Sequence, residues 1–208
     1  MMNKTRQWSV ASSTVILLCI LSYLFADIQT ALWFHARENT LLYNIFDKIT
    51  LFGDSLAYLT GGMLLFVIFR KRNLSWASSG LFLFSTVAVS GLSADLLKYI
   101  AGRARPRLYF NEHMYGFDFF HWQYAWTSFP SGHSATAFSV ATLLAILYPR
   151  WRFGALFGGI LVAFSRIVLA QHYISDVIAG SFLGIVSTVL LYNFYFTSKF
   201  DNSLQNKI

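Results

Sequence analysis

Six stretches of the 208-residue chain, at about 9–26, 55–70, 76–98, 131–149, 153–171 and 174–196, are strongly apolar. Their lengths approach the roughly 20 residues that carry a helix across a bilayer. Hydrocarbon offers no partners to backbone N–H and C=O groups, so each stretch must satisfy its own hydrogen bonds. Runs of this length do so as helices. The fold class expected is all-α, a six-transmembrane-helix bundle forming one membrane-integral domain over residues 1–208. Composition agrees: 56% of residues are hydrophobic and 12% charged, against about a quarter charged in soluble domains. The third stretch carries several serines and Asp95, and the fifth is short, so their edges are the softest. The first follows Lys4 and Arg6 as a signal peptide would. Its apolar run is long and "SYLFAD" lacks a small-x-small cleavage site, which favours a retained helix.

Charge sets an orientation. Lys4 and Arg6, the "RKRN" loop, the "PRWR" loop, and Lys199 and Lys207 all fall on one side of a six-crossing layout. By the positive-inside rule that side, with both termini, is cytoplasmic. Trp8, Trp33, Trp76, Trp122, Trp126 and Trp151 lie near segment ends, as an interfacial aromatic belt requires. The net charge of +7 comes with no basic stripe or nucleic-acid motif, so no nucleic-acid partner is expected. Cys19 is the only cysteine, which excludes an intrachain disulfide and a cysteine-based zinc site.

The opposite face breaks the charge rule. Lys98, Arg103, Arg105, Arg107 and Arg166 sit there, close to membrane ends, and all five histidines lie on or near it. Three clusters meet on this face. "KYIAGRARP" holds Lys98 and Arg105; "PSGH", residues 130–133, opens the fourth segment; "SRIVLAQHYISD" holds Ser165, Arg166, His172 and Asp176 between the fifth and sixth. Singly, each has a plain reading: snorkelling basic side chains, a helix cap at Ser131, a cap at Asp176. Together, ionisable residues at membrane ends point to a functional site.

The chemistry these residues suit is phosphoryl transfer. Lys98, Arg105 and Arg166 supply three positive charges for a phosphate. Ser131 and the Gly132 backbone open a helix, where N–H groups and the dipole favour an anion. His172 can attack phosphorus through one ring nitrogen if a carboxylate, which Asp176 provides, holds the other protonated. His133 can protonate the leaving oxygen and later activate water. Two histidines and an aspartate also suit zinc. The surrounding cations would repel a dication, so a metal-free site without a cofactor is expected.

K-x6-RP, PSGH and SR-x5-H-x3-D, in this order, resemble the three signature motifs of the type-2 phosphatidic acid phosphatase family. All eleven specified letters are present: Lys98, Arg105, Pro106, Pro130, Ser131, Gly132, His133, Ser165, Arg166, His172 and Asp176. The resemblance implies a six-helix membrane enzyme with a phosphohistidine at His172, oriented by Asp176, with His133 as general acid and no metal. Soluble vanadium haloperoxidases share the motifs, but the apolar composition argues against one. Small size and short loops are similar to compact bacterial members. That implies an inner-membrane protein whose site faces the periplasm or outside.

The resemblance allows undecaprenyl diphosphate, phosphatidylglycerol phosphate, phosphatidic acid or lipid A phosphates as substrate. It leaves open a lipid phosphotransferase, and a non-catalytic lipid carrier is a further alternative. No motif specifies an oligomeric state. Residues 108–126, "LYFNEHMYGFDFFHWQYAW", carry nine aromatics and suit an interfacial lid or a wall guiding lipid tails. Segment 35–50 has the spacing of a helix lying at the interface. Asp95, three residues before Lys98, is placed either to pair with it or to make a polar contact in the bundle.

Overall fold

A computed structural model gives the architecture and describes residues 4–200; Lys207 lies outside them. Among the described residues the chain is helical, with no strand beyond an isolated bridge between Arg103 and Phe117. The helices are α1 (Lys4–Phe25), α2 (Asp27–His35), α3 (Leu41–Ile49), α4 (Ser55–Phe69), α5 (Leu74–Ala101), α6 (Pro106–Glu112), α7 (Gly132–Leu147), α8 (Arg152–Val168) and α9 (Ile174–Leu191). A π-helical turn, Tyr192–Phe196, continues α9.

Five helical runs among the described residues are long and apolar enough to span a membrane: Thr5–Phe25, Leu41–Phe69, Leu74–Ala101, Pro149–Val168 and Ile174–Phe200. The expectation of six is met for five. The remaining apolar helix, Gly132–Leu147, has 16 residues and falls short. Segment 35–50 is not one interfacial helix either. His35 ends α2, and α3 runs through the turn Thr50–Gly53 to Asp54, whose carboxylate caps α4 by accepting from Leu56 N–H at 2.9 Å. The fifth segment stops at Val168 rather than 171. Ala170 takes a positive φ of 49°, and the N–H groups of Gln171 and His172 both turn back to the Arg166 carbonyl.

Small and hydroxylated residues hold the helices together, as expected where lipid removes the hydrophobic drive between them. Ser139 Oγ of α7 donates to Ser90 Oγ of α5 at 2.9 Å, and Thr188 Oγ1 of α9 lies 3.3 Å from the Ser139 carbonyl. Gly180 and Gly184 let α9 pass against the α7 backbone; a Cβ on either would sit 2.3 Å from a carbonyl oxygen, of Ser131 or Ala135. In contrast α1 stands at the rim. Ser22 is its only buried residue among those described, and Ile16, Leu17, Ile20, Leu24 and Phe25 are exposed.

Candidate active site

Four helix ends and one loop converge. The C-terminal ends of α5 and α8 and the N-terminal ends of α7 and α9 bring in Lys98, Arg166, Ser131–His133 and Asp176. The chain from 102 to 131 closes over them. Lys98 donates to Asp95 Oδ1 at 2.7 Å, so the pairing alternative is the one realised. Its Nζ would lie 3.1 Å from a Cβ on Gly132. The glycine therefore admits the ammonium to the first turn of α7, where free N–H groups already favour an anion.

Ser131 is fully buried and caps α7, accepting from Ser134 N–H and from Ser134 Oγ at 2.9 Å. Its own N–H donates to the Asp176 carbonyl at 3.0 Å, tying the start of α7 to the start of α9. His133 packs on Gly53, whose missing Cβ would fall 2.8 Å from the imidazole Cδ2. Arg166 is buried and donates from Nη1 to Thr50 Oγ1 at 2.7 Å, while its buried Nε has no hydrogen-bond partner. That leaves a guanidinium edge able to bind an oxyanion.

Arg105 differs from the expectation of a simple phosphate clamp. Its Nε donates to the Tyr124 carbonyl at 3.0 Å and Nη2 to the Thr127 carbonyl at 3.1 Å, with the Gln171 carbonyl 3.5 Å from Nη1. The guanidinium also stacks 3.9 Å from the Tyr124 ring centre. Two of five N–H donors are thus committed to the loop and a third to the turn before α9, and two remain.

His172 is buried, and its Nδ1 lies 2.8 Å from the Ser128 carbonyl oxygen. A carbonyl can only accept, so Nδ1 carries the proton and Nε2 the lone pair. The Asp176 carboxylate is 3.6 Å from Nδ1, beyond a good hydrogen bond. The aspartate does not hold the ring by itself, as the sequence led us to expect; a backbone carbonyl makes the direct bond. Burial holds the His172 imidazole below its ordinary range; nearby Arg105 and Arg166 push the same way and Asp176 opposes them. The neutral form, with its free Nε2 lone pair, is thereby favoured at neutral pH.

A family model described as the PAP2 superfamily matches residues 79–200, more than half of the chain. The chain belongs to the PAP2 superfamily. Among its relatives, the Lipid A 1-phosphatase of Rhizobium etli is 43% identical over 110 residues, covering 53% of this chain and 47% of that protein. The Lipid A 1-phosphatase of Porphyromonas gingivalis is 29% identical over 157 residues, covering 67% of this chain and 32% of that protein. This PAP2 chain spans about half, or less, of the length of the curated relatives it matches. Two solved structures share the fold. Aquifex aeolicus LpxE superposes with a TM-score of 0.63 at 21% identity, covering 81% of this chain and 95% of that one. The first transmembrane PAP2 type phosphatidylglycerolphosphate phosphatase from Bacillus subtilis gives 0.65 at 23%, covering 88% and 94%.

Two residues beside this site are specified by none of the motifs. Arg103, noted only as one of the basic residues on the face, is 1% exposed and pairs with both Asp176 and Asp27. Asp27, buried where α1 meets α2, was not singled out at all. Its signal was slight: a carboxylate directly after an apolar span. Several cavities border the site, two of them with contrasting linings. A polar hollow of about 530 Å³ is lined by Arg105, Arg107, Asn111, Glu112, Tyr124 and Gln171. An apolar one of about 360 Å³ is lined by Ile49, Phe52, Val140, Leu144, Gly159 and Val162; Val162 also abuts Gly53, against which His133 packs.

Proposed function

We propose that this protein hydrolyses a phosphate ester of a membrane lipid through a phosphohistidine at His172. The observation that carries the reading is the His172 tautomer. Nδ1–H is tied to the Ser128 carbonyl, which leaves the Nε2 lone pair for phosphorus, beside buried Arg166 and the cation-lined start of α7. In the first half-reaction the Nε2 pair forms a bond to phosphorus while the bond from phosphorus to the lipid oxygen breaks. His133 gives that oxygen its proton. Water then attacks phosphorus, surrenders a proton to His133, and the P–N bond breaks to release phosphate. Lys98, Arg105, Arg166, Ser131 and the Gly132 N–H stabilise the equatorial oxygens. Asp176 balances the charge the His172 ring gains.

Lipid A phosphate is the substrate we favour, since the Rhizobium etli and Porphyromonas gingivalis relatives carry the name Lipid A 1-phosphatase. The polar hollow beside Arg105 suits a saccharide head group, with amide, carboxylate, guanidinium and phenol groups on its wall. The apolar cavity walled by Phe52, Leu144 and Val162 suits an acyl chain. We further propose that α7 completes a sixth crossing and that the site faces the periplasm, because the "RKRN" and "PRWR" loops lie at the other end of the helices. The test is phosphate release by the purified chain in detergent with chelator present. Lipid A, phosphatidylglycerol phosphate, phosphatidic acid and undecaprenyl diphosphate are compared. Release from lipid A well above the others supports the assignment; release from none of the four refutes it.

A further inference from the structure

Behind Asp176 lies a second buried carboxylate that comes from the other end of the chain. Asp27 Oδ1 accepts from Ser22 Oγ at 2.7 Å and from Ser175 N–H at 3.1 Å, and Oδ2 accepts from Arg103 Nη2 at 2.7 Å. The Ser175 hydroxyl donates to Asp27 Oδ2 and accepts from Arg103 Nη1 at 2.6 Å. Arg103 Nη1 also donates to Asp176 Oδ1, and Tyr115 Oη lies 3.2 Å from Nη2. The arginine stands between two carboxylates, with the rings of Tyr23 and Tyr173 5.1 and 4.7 Å from its central carbon. Burial works against its charge, but Asp176 and Asp27 more than offset this and raise its pKa.

The network reaches the His172 ring by two routes. Along the first, Arg103 grips Asp176, whose Oδ2 accepts the Ser128 hydroxyl at 2.6 Å and Tyr173 N–H at 2.9 Å. Along the second, the Arg103 carbonyl accepts Ser128 N–H at 3.0 Å, and the Ser128 carbonyl receives His172 Nδ1–H. Arg103 thus fixes Ser128 from both sides, and Ser128 fixes the ring. Two carboxylates against one guanidinium leave the cluster with one net negative charge.

We propose that Asp27 and Arg103 are a positioning pair for catalysis, holding Asp176 and Ser128 so that His172 stays aimed, and supplying the negative charge that offsets its phosphorylated ring. The inference rests on the reading of His172 as nucleophile. It makes the joint of α1 and α2, which lies outside the matched region 79–200, a working part of the site. A carboxylate that only anchored α1 would have no need of a shared guanidinium reaching Asp176.

The test uses the full chain purified in detergent. Asp27→Asn keeps the shape and removes the charge. Its rate of phosphohistidine formation in acid-quenched single turnovers is expected to fall roughly 10–100-fold, the range seen when partners behind ligating histidines are lost. KM should stay within about twofold, because Asp27 touches no part of the phosphate pocket. Asp27→Glu restores the charge and should recover part of the loss. A folded Asp27→Asn that phosphorylates at the original rate, or that loses only in KM, would overturn the pair's role. So would an equal loss in Asp27→Glu. Should Asp27→Asn not fold, Tyr115→Phe decides: it removes one hydroxyl from Arg103 Nη2 and is expected to slow phosphorylation about two- to fivefold at constant KM. An unchanged rate there would overturn the inference. Failure of the unaltered chain to form phosphohistidine is a separate outcome, and it overturns the reading of the site itself along with the inference.

Discussion

Adding one methyl group at Gly180 drives α9 into the first turn of α7. The new Cβ would lie 2.3 Å from the Ser131 carbonyl oxygen, with the Ser131 carbon and nitrogen at 3.1 and 3.2 Å. Real Cβ atoms keep at least 3.0 Å from such neighbours, so the two helices must part by roughly 0.7 Å. The obstacle is backbone, and no rotamer change relieves it. Overpacking of this kind costs about 1–3 kcal/mol of stability. The larger effect falls on geometry. Ser131 N–H reaches the Asp176 carbonyl at 3.0 Å, and a parting of that size takes the bond out of range. Groups misplaced by about 1 Å lose on the order of 100-fold in rate. Gly180→Ala is therefore expected to lower kcat by roughly 30- to 100-fold, with helical circular dichroism and elution on size exclusion unchanged. Gly154→Ala, whose Cβ would also meet open space and which lies away from both cavities, is the control and should stay within about twofold. The assay is turnover of both variants on lipid phosphate at matched folded protein. Gly180→Ala retaining a third or more of the original kcat would refute a site registered by helix packing.

Three further outcomes follow from the same geometry. His133→Ala should lose most on lipid esters, whose alkoxide needs a proton as it leaves, and far less on an aryl phosphate; equal losses on both would remove His133 from the acid role. Since burial holds His172 below 6.5, the acid limb of kcat/KM should lie below that pH. Between the two values the unfolded ring binds a proton that the folded ring does not, so stability should fall as pH drops below about 6.5; a limb above pH 7 traced to His172 would contradict its burial. Single cysteines at Asn111 and Asn73, in a chain with Cys19 replaced, test orientation: an impermeant reagent on intact cells should label position 111, and labelling of 73 alone would invert the topology.

The motif residues were legible because each is a local signal: a proline just ahead of a cap and a glycine just after it, a histidine and an aspartate one turn apart, a lysine ending an apolar run. Their partners were not. Asp27 and Arg103 are separated by 76 residues, and neither lies in a pattern that periodicity detects. The direct holder of His172 is the Ser128 carbonyl, a group every residue possesses, so side-chain types could not reveal it. Helix ends were legible only to within a few residues. The third segment was expected to end at 98, whereas α5 runs to Ala101 and Gly102, at φ 55°, closes it as a left-handed glycine should. They were obscure where tertiary context overrides: Ala170 adopts the left-handed region at φ 49° although its side chain disfavours it. Arg105 shows the limit of reading charge alone, since two of its N–H groups serve the loop that covers the site and a third serves the turn before α9.

The brevity of α7 has a consequence for the membrane around it. Its 16 residues reach about 24 Å, whereas the hydrocarbon layer measures about 30 Å. The neighbouring α5 has 28 residues, about 42 Å of helix, and projects past it. If α7 makes the sixth crossing proposed above and the shortfall lies at its first turn, Ser131, Gly132 and His133 sit a few ångströms beneath the level where head groups normally float. A lipid phosphate meets them only by sinking, or by the leaflet thinning to bring it down, each at a fraction of a kcal/mol per Å. On that reading turnover depends on bilayer thickness, and it should be faster in short-chain vesicles than in long-chain ones of the same head group.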